Sequence, residues 1–416
     1  MRKNIIGIII FCVLIAGAVL HIGGCHKSNG SGGGMAEDIQ NEFTPIVASF
    51  VAKPIPFLGS DERYHLTYEL QLTNATSFTW VINSLEVLNA EDHNQTFVNF
   101  SGDTVTPNNQ IIPGRIPSDN LEGGQTSVFF ITFSVDNFDA IPEKIVHRLK
   151  ITIPGGIPEG FLAFLSLPPD TQELVQIEAE SYVPEANAVV MGPPLRGTNW
   201  VAADGCCTAE RHVRAVMPIN GRLVISQRFA IDWEKLNDED RIFVGDPQDV
   251  ASYFCYGEEI LAVGEGRVVL AVDKYDDQIP GLFPVGIPLE EADGNFVVID
   301  LGNGNFAFYA HMIKGSVAVE VGDFVTRGQV IGLVGNTGNT IAPHLHFQMM
   351  SGPSTFGSNG VPYMIYEYDL IAQAASTQAF DMAEAEGTPL EIIPVDNPGI
   401  HKVDLPLDLS IVNFAE

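Results

Sequence analysis

His344-Leu345-His346 sets two imidazoles two residues apart, and His311 stands thirty-three residues before the first of them in Tyr309-Ala310-His311-Met312. In an extended strand, residues i and i+2 share a face. The two imidazoles would then lie about 7 Å apart, at roughly 3.3 Å of rise per residue. Neutral imidazole ligates zinc and also moves protons near neutral pH. A polar pair on the inward face of an otherwise apolar strand therefore points to metal or acid–base chemistry. The plain alternative is two histidines satisfied by hydrogen bonds.

The surrounding stretch supplies the elements that must position them. Ile260 to Val269 reads as strand, glycine turn, strand. Asn295 to Leu301, Gly302-Asn303-Gly304 and Asn305 to His311 read as a β-hairpin. Helix-period stretches are nearly absent from residues 195–365, so many short strands with glycine corners predict a compact antiparallel barrel or sandwich. Residues 40–185 also read as all-β. Tyr64 to Leu72 alternates and is closed by Asn74, and Val81 to Leu88, Ser127 to Val135 and His147 to Ile153 are further strand-like runs. Turn clusters such as Thr106-Pro107-Asn108-Asn109 and Glu122-Gly123-Gly124 separate them. This pattern predicts an immunoglobulin-like β-sandwich. His65, His93 and His147 are scattered within it and read as structural. Near the C-terminus, Asp369 to Glu386 could hold a helix, and Pro406 to Val412 alternates as a final strand.

The front of the chain indicates where the protein works. Met1-Arg2-Lys3-Asn4 is a basic start, Ile5 to Leu20 is an apolar run, and Ile22-Gly23-Gly24-Cys25 ends in small residues and a cysteine. This order reads as a secretory signal, and its end resembles a bacterial lipobox in which Cys25 is acylated and becomes the mature N-terminus. A plain anchor helix is the alternative, and either reading places the remaining chain outside the cytoplasm. The predicted organisation is a lipoprotein signal over 1–25, a flexible Gly/Ser linker over 26–39, a β-sandwich over 40–190, a second β domain over 195–368 and a tail over 369–416 that packs on one of them. His26 follows Cys25 where an aspartate would favour inner-membrane retention, so the outer membrane is the expected site. The formal net charge of −31 argues against a nucleic-acid partner, because phosphate binding needs a basic surface. Cys206, Cys207 and Cys255 leave room for one disulfide, from Cys255 to either neighbour, in an oxidising compartment.

Several motifs occur in a fixed order: Tyr309-Ala310-His311-Met312, Val321-Gly322-Asp323-Phe324-Val325, Gly328-Gln329-Val330-Ile331-Gly332, Gly335-Asn336-Thr337-Gly338 and Pro343-His344-Leu345-His346-Phe347. Together they resemble the lysostaphin-like (LytM-type) zinc metallopeptidases, over about residues 210–365. The resemblance implies a duplicated hybrid motif barrel within an all-β chain. It implies Zn2+ as cofactor and hydrolysis of peptide bonds in bacterial peptidoglycan cross-links. It further implies that His346 is a metal ligand, that His344 and His311 are catalytic, and that Asp232 is a second metal ligand. A catalytically inactive relative that binds cell wall or activates a cell-wall amidase is the alternative.

The family's remaining ligand is a histidine four residues before the aspartate. Here that position is Arg228, and a guanidinium has no lone pair for zinc. His212 is the candidate replacement. Asn220-Gly221 is a hairpin signal. With a three-residue loop, Ile219-Asn220-Gly221, Pro218 would pair with Arg222 and His212 would fall opposite Arg228, with Cβ atoms about 5 Å apart. A two-residue loop would turn His212 to the other face. The expected metal set is His212, Asp232 and His346.

Overall fold

The alternating segment Tyr64–Asn74 is buried along almost its whole length, on both faces. Its even-numbered apolar residues Leu66, Tyr68, Leu70 and Leu72 enter the core of a two-sheet sandwich. Its opposite face, with His65, Thr67 and Glu69, is also buried. This face is polar, yet the remainder of the chain packs on it.

The computed structural model describes residues 42–112, 114–184, 188–207 and 211–415. The signal, Cys25 and the Gly/Ser linker lie outside the described residues. Among the described residues, no helix is long and apolar enough to cross a membrane.

The sandwich strands are β1 (Ile46–Ala52), β2 (Tyr64–Asn74), β3 (Trp80–Asn89), β4 (Thr96–Ser101), β5 (Asn109–Ile112), β6 (Ile116–Pro117), β7 (Thr126–Val135), β8 (Lys144–Thr152) and β9 (Leu174–Tyr182). One sheet runs β1-β2-β7-β5-β6 and the other β9-β8-β3-β4. The pairs are antiparallel, and β2 with β7 keeps unbroken register from Tyr64↔Val135 to Thr73↔Thr126. Inward residues of both sheets, such as Leu70, Phe129, Leu85 and Leu149, share one core.

The second part of the chain is built on an eleven-stranded sheet. Its central strands are β10 (Gly197–Ala203), β13 (Ile231–Lys235), β14 (Gly266–Val272), β15 (Phe296–Gly302), β16 (Asn305–Ala310), β17 (Leu345–Met350), β18 (Tyr368–Ala374) and β19 (Ser410–Phe414), with a separate hairpin of β11 (Met217–Ile219) and β12 (Arg222–Val224). The order β14-β15-β16-β17-β13-β10-β19-β18 puts β17 between β16 and β13. The chain is therefore all-β, with helix limited among the described residues to short pieces. The longest, α1 (Thr377–Glu386), is capped by the Ser376 hydroxyl accepting from the Ala379 N–H and ends at Gly387, φ 64°. The last fifty residues do more than pack on a domain: β18 and β19 pair with each other, and β19 also pairs with β10, so they complete this sheet.

Residues 44–416 form one compact unit. Phe57, which lies before β2, belongs to the larger core with Trp233 and Tyr309, and its ring meets Phe229 edge-on. The cysteine pairing differs from expectation. Cys206 and Cys207 are bonded to each other, and Cys255 is a free buried thiol. Its Sγ–H donates to the Pro343 carbonyl at 2.9 Å, so the side chain has a partner within the core and no neighbouring cysteine.

Candidate active site

Sheet register assembles the site. Asp232 on β13 lies directly opposite His346 on β17, and Ala310 on β16 opposes His346 from the other side. His311 follows Ala310 and leaves the strand with φ 65°, a left-handed conformation that a non-glycine residue rarely adopts. His344 precedes β17 by one residue and shares the face of His346.

The four histidines converge on one carboxylate or on one another. His346 Nδ1 lies 2.8 Å from Asp232 Oδ1. His344 Nε2 lies 3.4 Å from the same oxygen, and His212 Nε2 lies 3.3 Å from Asp232 Oδ2. Potential ligand atoms of His212, Asp232 and His346 fall within 4.8 Å of one another, as do those of His311, His344 and His346. The ring centroids of His311 and His344 are 4.8 Å apart.

The partner of each ring's other nitrogen assigns its tautomer. His212 Nδ1–H donates to the Asp204 carbonyl at 3.0 Å, which turns Nε2 toward Asp232. His346 Nε2 lies 3.0 Å from Gln348 Oε1, and its Nδ1 is turned to Asp232. His311 Nδ1–H donates to the Thr337 carbonyl at 2.7 Å, and His344 Nδ1–H to the Ala342 carbonyl at 2.8 Å. The last two rings thus offer Nε2 lone pairs to the site.

Burial opposes ionisation of Asp232, but its interactions with His212, His344 and His346 outweigh burial and hold this carboxyl well below the usual range. Burial pulls His212 down, yet the carboxylates of Asp232 and Asp204 carry its pKa up to about 9. Burial, with charge on His344 and His346, keeps His311 well below its ordinary value. Burial also lowers His344. His311 and His344 are therefore neutral imidazoles at pH 7, able to accept a proton.

His212 does not arrive by the expected route. The hairpin pairs Met217↔Val224, Pro218↔Leu223 and Ile219↔Arg222, so its loop is the two residues Asn220-Gly221. That register would have pointed a continued strand's His212 away. The strand stops at Met217, however, and residues 211–216 fold into turns, with the Ala215 N–H donating to the His212 carbonyl at 3.1 Å. These turns swing His212 back over Asp232.

Arg228 is turned away from the site. Its Nε donates to Glu69 Oε1 at 2.7 Å, its Nη2 pairs with Glu69 Oε2, and its Nη1 donates to the Gly360 carbonyl at 2.9 Å. Tyr309 is core: its hydroxyl accepts from the Val263 N–H at 2.8 Å.

A cavity of about 270 Å³ opens beside the histidines, lined in part by Arg115, Met217, Asp293, His311, His346 and Phe356. Burial lifts the Asp293 carboxyl to a pKa of about 6. Asp293, Gln348, Asp204 and Arg115 carry no sequence signal of their own. Gln348, two residues beyond His346 on the same strand face, is the one that alternation could have found. Thr337 acts through its backbone carbonyl, which residue type does not reveal.

Residues 250–359 match the profile of Peptidase family M23. The match takes in His311, His344 and His346 and leaves out His212 and Asp232. Peptidoglycan DD-endopeptidase ShyA of Vibrio cholerae serotype O1 is 47% identical over 57 residues, which cover 14% of this chain and 13% of that protein. Endolysin 2638A of Staphylococcus phage 2638A is 32% identical over 127 residues, 28% of this chain and 26% of the endolysin. The chain thus spans about a quarter or less of the length of these relatives. Among solved structures, the catalytic domain of lysostaphin from Staphylococcus simulans is 22% identical with a TM-score of 0.21, covering 39% of this chain and 88% of the domain.

Proposed function

The chain is a LytM-type member of peptidase family M23, and from that premise we propose that it is a zinc metalloendopeptidase that hydrolyses peptide bonds in peptidoglycan cross-links. The observation that carries the reading is the buried donor set of two imidazole nitrogens and one carboxylate, His212, Asp232 and His346, with potential ligand atoms within 4.8 Å of one another. Three protein ligands of these types are what a catalytic zinc takes, with one position left open. In this reading His212 replaces the ligand that Arg228 cannot supply.

When bound, zinc supplies Lewis acidity that polarises a peptide carbonyl and acidifies water. The remaining steps belong to side chains. His311 and His344 are outside this ligand set and present Nε2 lone pairs, fixed by the Thr337 and Ala342 carbonyls. One Nε2 takes the proton of the attacking water. The resulting imidazolium donates to the developing oxyanion and then passes the proton to the leaving amine. Asp232 neutralises the charge that gathers on the histidines, and Gln348 keeps His346 in the tautomer that ligation needs.

We further read the sandwich as immunoglobulin-like. With β1, β2, β3, β5, β7, β8 and β9 lettered A to G, its sheets run A-B-E-D and G-F-C, with β6 beyond D and β4 beyond C. We read Cys25 as the lipid attachment site of an exported envelope protein. Arg228 favours the second reading, an inactive module that binds cell wall or activates an amidase. Zinc analysis of the purified chain, followed by peptidoglycan digestion with and without chelator, separates the two. Chelator-sensitive release of cross-link peptides is expected. His212→Ala should lose zinc; full zinc in that variant refutes the ligand assignment, and tight zinc without cleavage supports the inactive reading.

A further inference from the structure

Resting on the peptidase reading above, we propose that Arg115, supplied by the sandwich, is a specificity residue that binds a free carboxylate of the peptide in the groove. Nothing in the catalytic cluster calls for it, and it comes from the other end of the fold. β5 and β6 form a hairpin with Gln110↔Pro117 and Ile111↔Ile116 in register. Below the tip, the Asn109 side-chain amide donates to the Ser118 carbonyl at 2.7 Å, and the Ser118 N–H donates to the Asn109 carbonyl at 3.0 Å. This short hairpin delivers Arg115 to the cavity that also holds His311 and His346.

The guanidinium is aimed. Its Nη2 donates to the Val216 carbonyl at 3.0 Å, in the same turn segment that carries His212. One donor is used in this way, and a guanidinium has five in a planar fork that matches a carboxylate with two parallel bonds. Arg115 is exposed, so the rest of the fork is open to a ligand. Anchoring one arm reduces the rotamer freedom that a free arginine would lose on binding.

Charge makes the assignment specific. The chain has 52 acidic and 21 basic residues, so an anionic peptide is repelled by most of its surface. Among the described residues that line this cavity, Arg115 is the one lysine or arginine and Asp293 the one carboxylate. Met217, Leu289 and Phe356 also line it, and their apolar surface strengthens a charge-assisted bond by excluding water. The groove therefore favours a peptide with a free carboxylate within reach of Arg115 while its scissile carbonyl lies at the histidines.

The test uses the zinc-loaded full chain and two synthetic cross-link peptides, identical except that the carboxylate nearest the scissile bond is free in one and a carboxamide in the other. Arg115→Ala should raise KM for the carboxylate peptide roughly tenfold, the low end for a hydrogen bond to a charged group at an exposed site. It should leave kcat, zinc content and cleavage of the carboxamide peptide unchanged, and Arg115→Lys should recover part of the loss. Equal effects on both peptides would mean a structural role and overturn the proposal. Faster cleavage of both would mean that the hairpin tip obstructs the groove, and would also overturn it. Calorimetric binding of the two peptides keeps this test apart from the peptidase reading. Discrimination that depends on Arg115 without any cleavage sinks the peptidase reading alone. Cleavage without discrimination sinks the role of Arg115 alone.

Discussion

Glu69→Ala should be among the most destabilising single changes in this chain, though Glu69 lies on a sandwich strand far in sequence from every candidate site residue. The Glu69 and Arg228 side chains are 0% and 3% exposed, and they meet through two parallel contacts. Removing the carboxylate leaves a buried guanidinium with the Gly360 carbonyl as its remaining hydrogen-bond acceptor among the described residues and the Phe229 ring 5.9 Å away. Breaking a buried pair from one side costs about 3–5 kcal/mol, because the remaining charge has neither water nor counterion. Two charge-assisted hydrogen bonds at about 1.5–3 kcal/mol each give about 3–6 kcal/mol, which overlaps that range. Replacing both partners, as in Glu69→Leu with Arg228→Met, removes the stranded charge and should return stability to within roughly 1–2 kcal/mol of the parent. Guanidinium unfolding followed by the fluorescence of buried Trp80, Trp200 and Trp233 reads this as a shift of midpoint at constant slope. A cost under about 1 kcal/mol for Glu69→Ala, or a double variant as unstable as the single one, would refute the reasoning. The double variant should also bind zinc normally. A folded double variant without zinc would mean that the Glu69–Arg228 pair supports the metal site from behind.

Two further expectations concern distant parts of the molecule. His147 is buried, with Nδ1–H donating to the Ala179 carbonyl and Nε2 accepting from the Tyr68 hydroxyl at 2.7 Å. Burial lowers its pKa from 6.5 to about 4. The folded state thus binds its proton later than the unfolded one. The His147 contribution is complete above pH 6.5 and is lost as pH falls toward 4, by about 3 kcal/mol in all. Thermal melts between pH 7 and pH 4 should show a shallower loss for His147→Gln than for the parent, and identical slopes would contradict the assignment. Gly294→Ala should abolish most cleavage while zinc content holds. Its φ is 62°, and an added Cβ would lie 2.2 Å from the Thr337 carbonyl oxygen, the acceptor that fixes His311. Unchanged activity would show that this carbonyl does not position the ring.

Much of the site was legible because alternation and turn chemistry are local. The HxH spacing put His344 and His346 on one face, and the glycine hairpin before His311 set β15 against β16, as found. Asp232 and His346 became neighbours through pairing of strands more than a hundred residues apart, and only the family likeness suggested it. The fold does bring His212 to Asp232, but through turns at residues 211–216 and not along a strand continued back from Pro218. The buried polar face of β2 was illegible for a different reason. Alternation marks one face as apolar, but it cannot say whether the other meets water or another sheet. Glu69 sits on that second face, and Arg228 lies against it.

Val128 and Phe130 of β7 share a small apolar cluster with Val213, Val216 and Ile225. The segment that carries His212 is thereby seated on the sandwich as much as on its own sheet. The part of the chain that carries the four clustered histidines is therefore not portable. A fragment cut near residue 190 would lose the floor beneath His212, the counterion of Arg228 and the arm that carries Arg115. Grafting this part onto another domain would have to carry the whole seam.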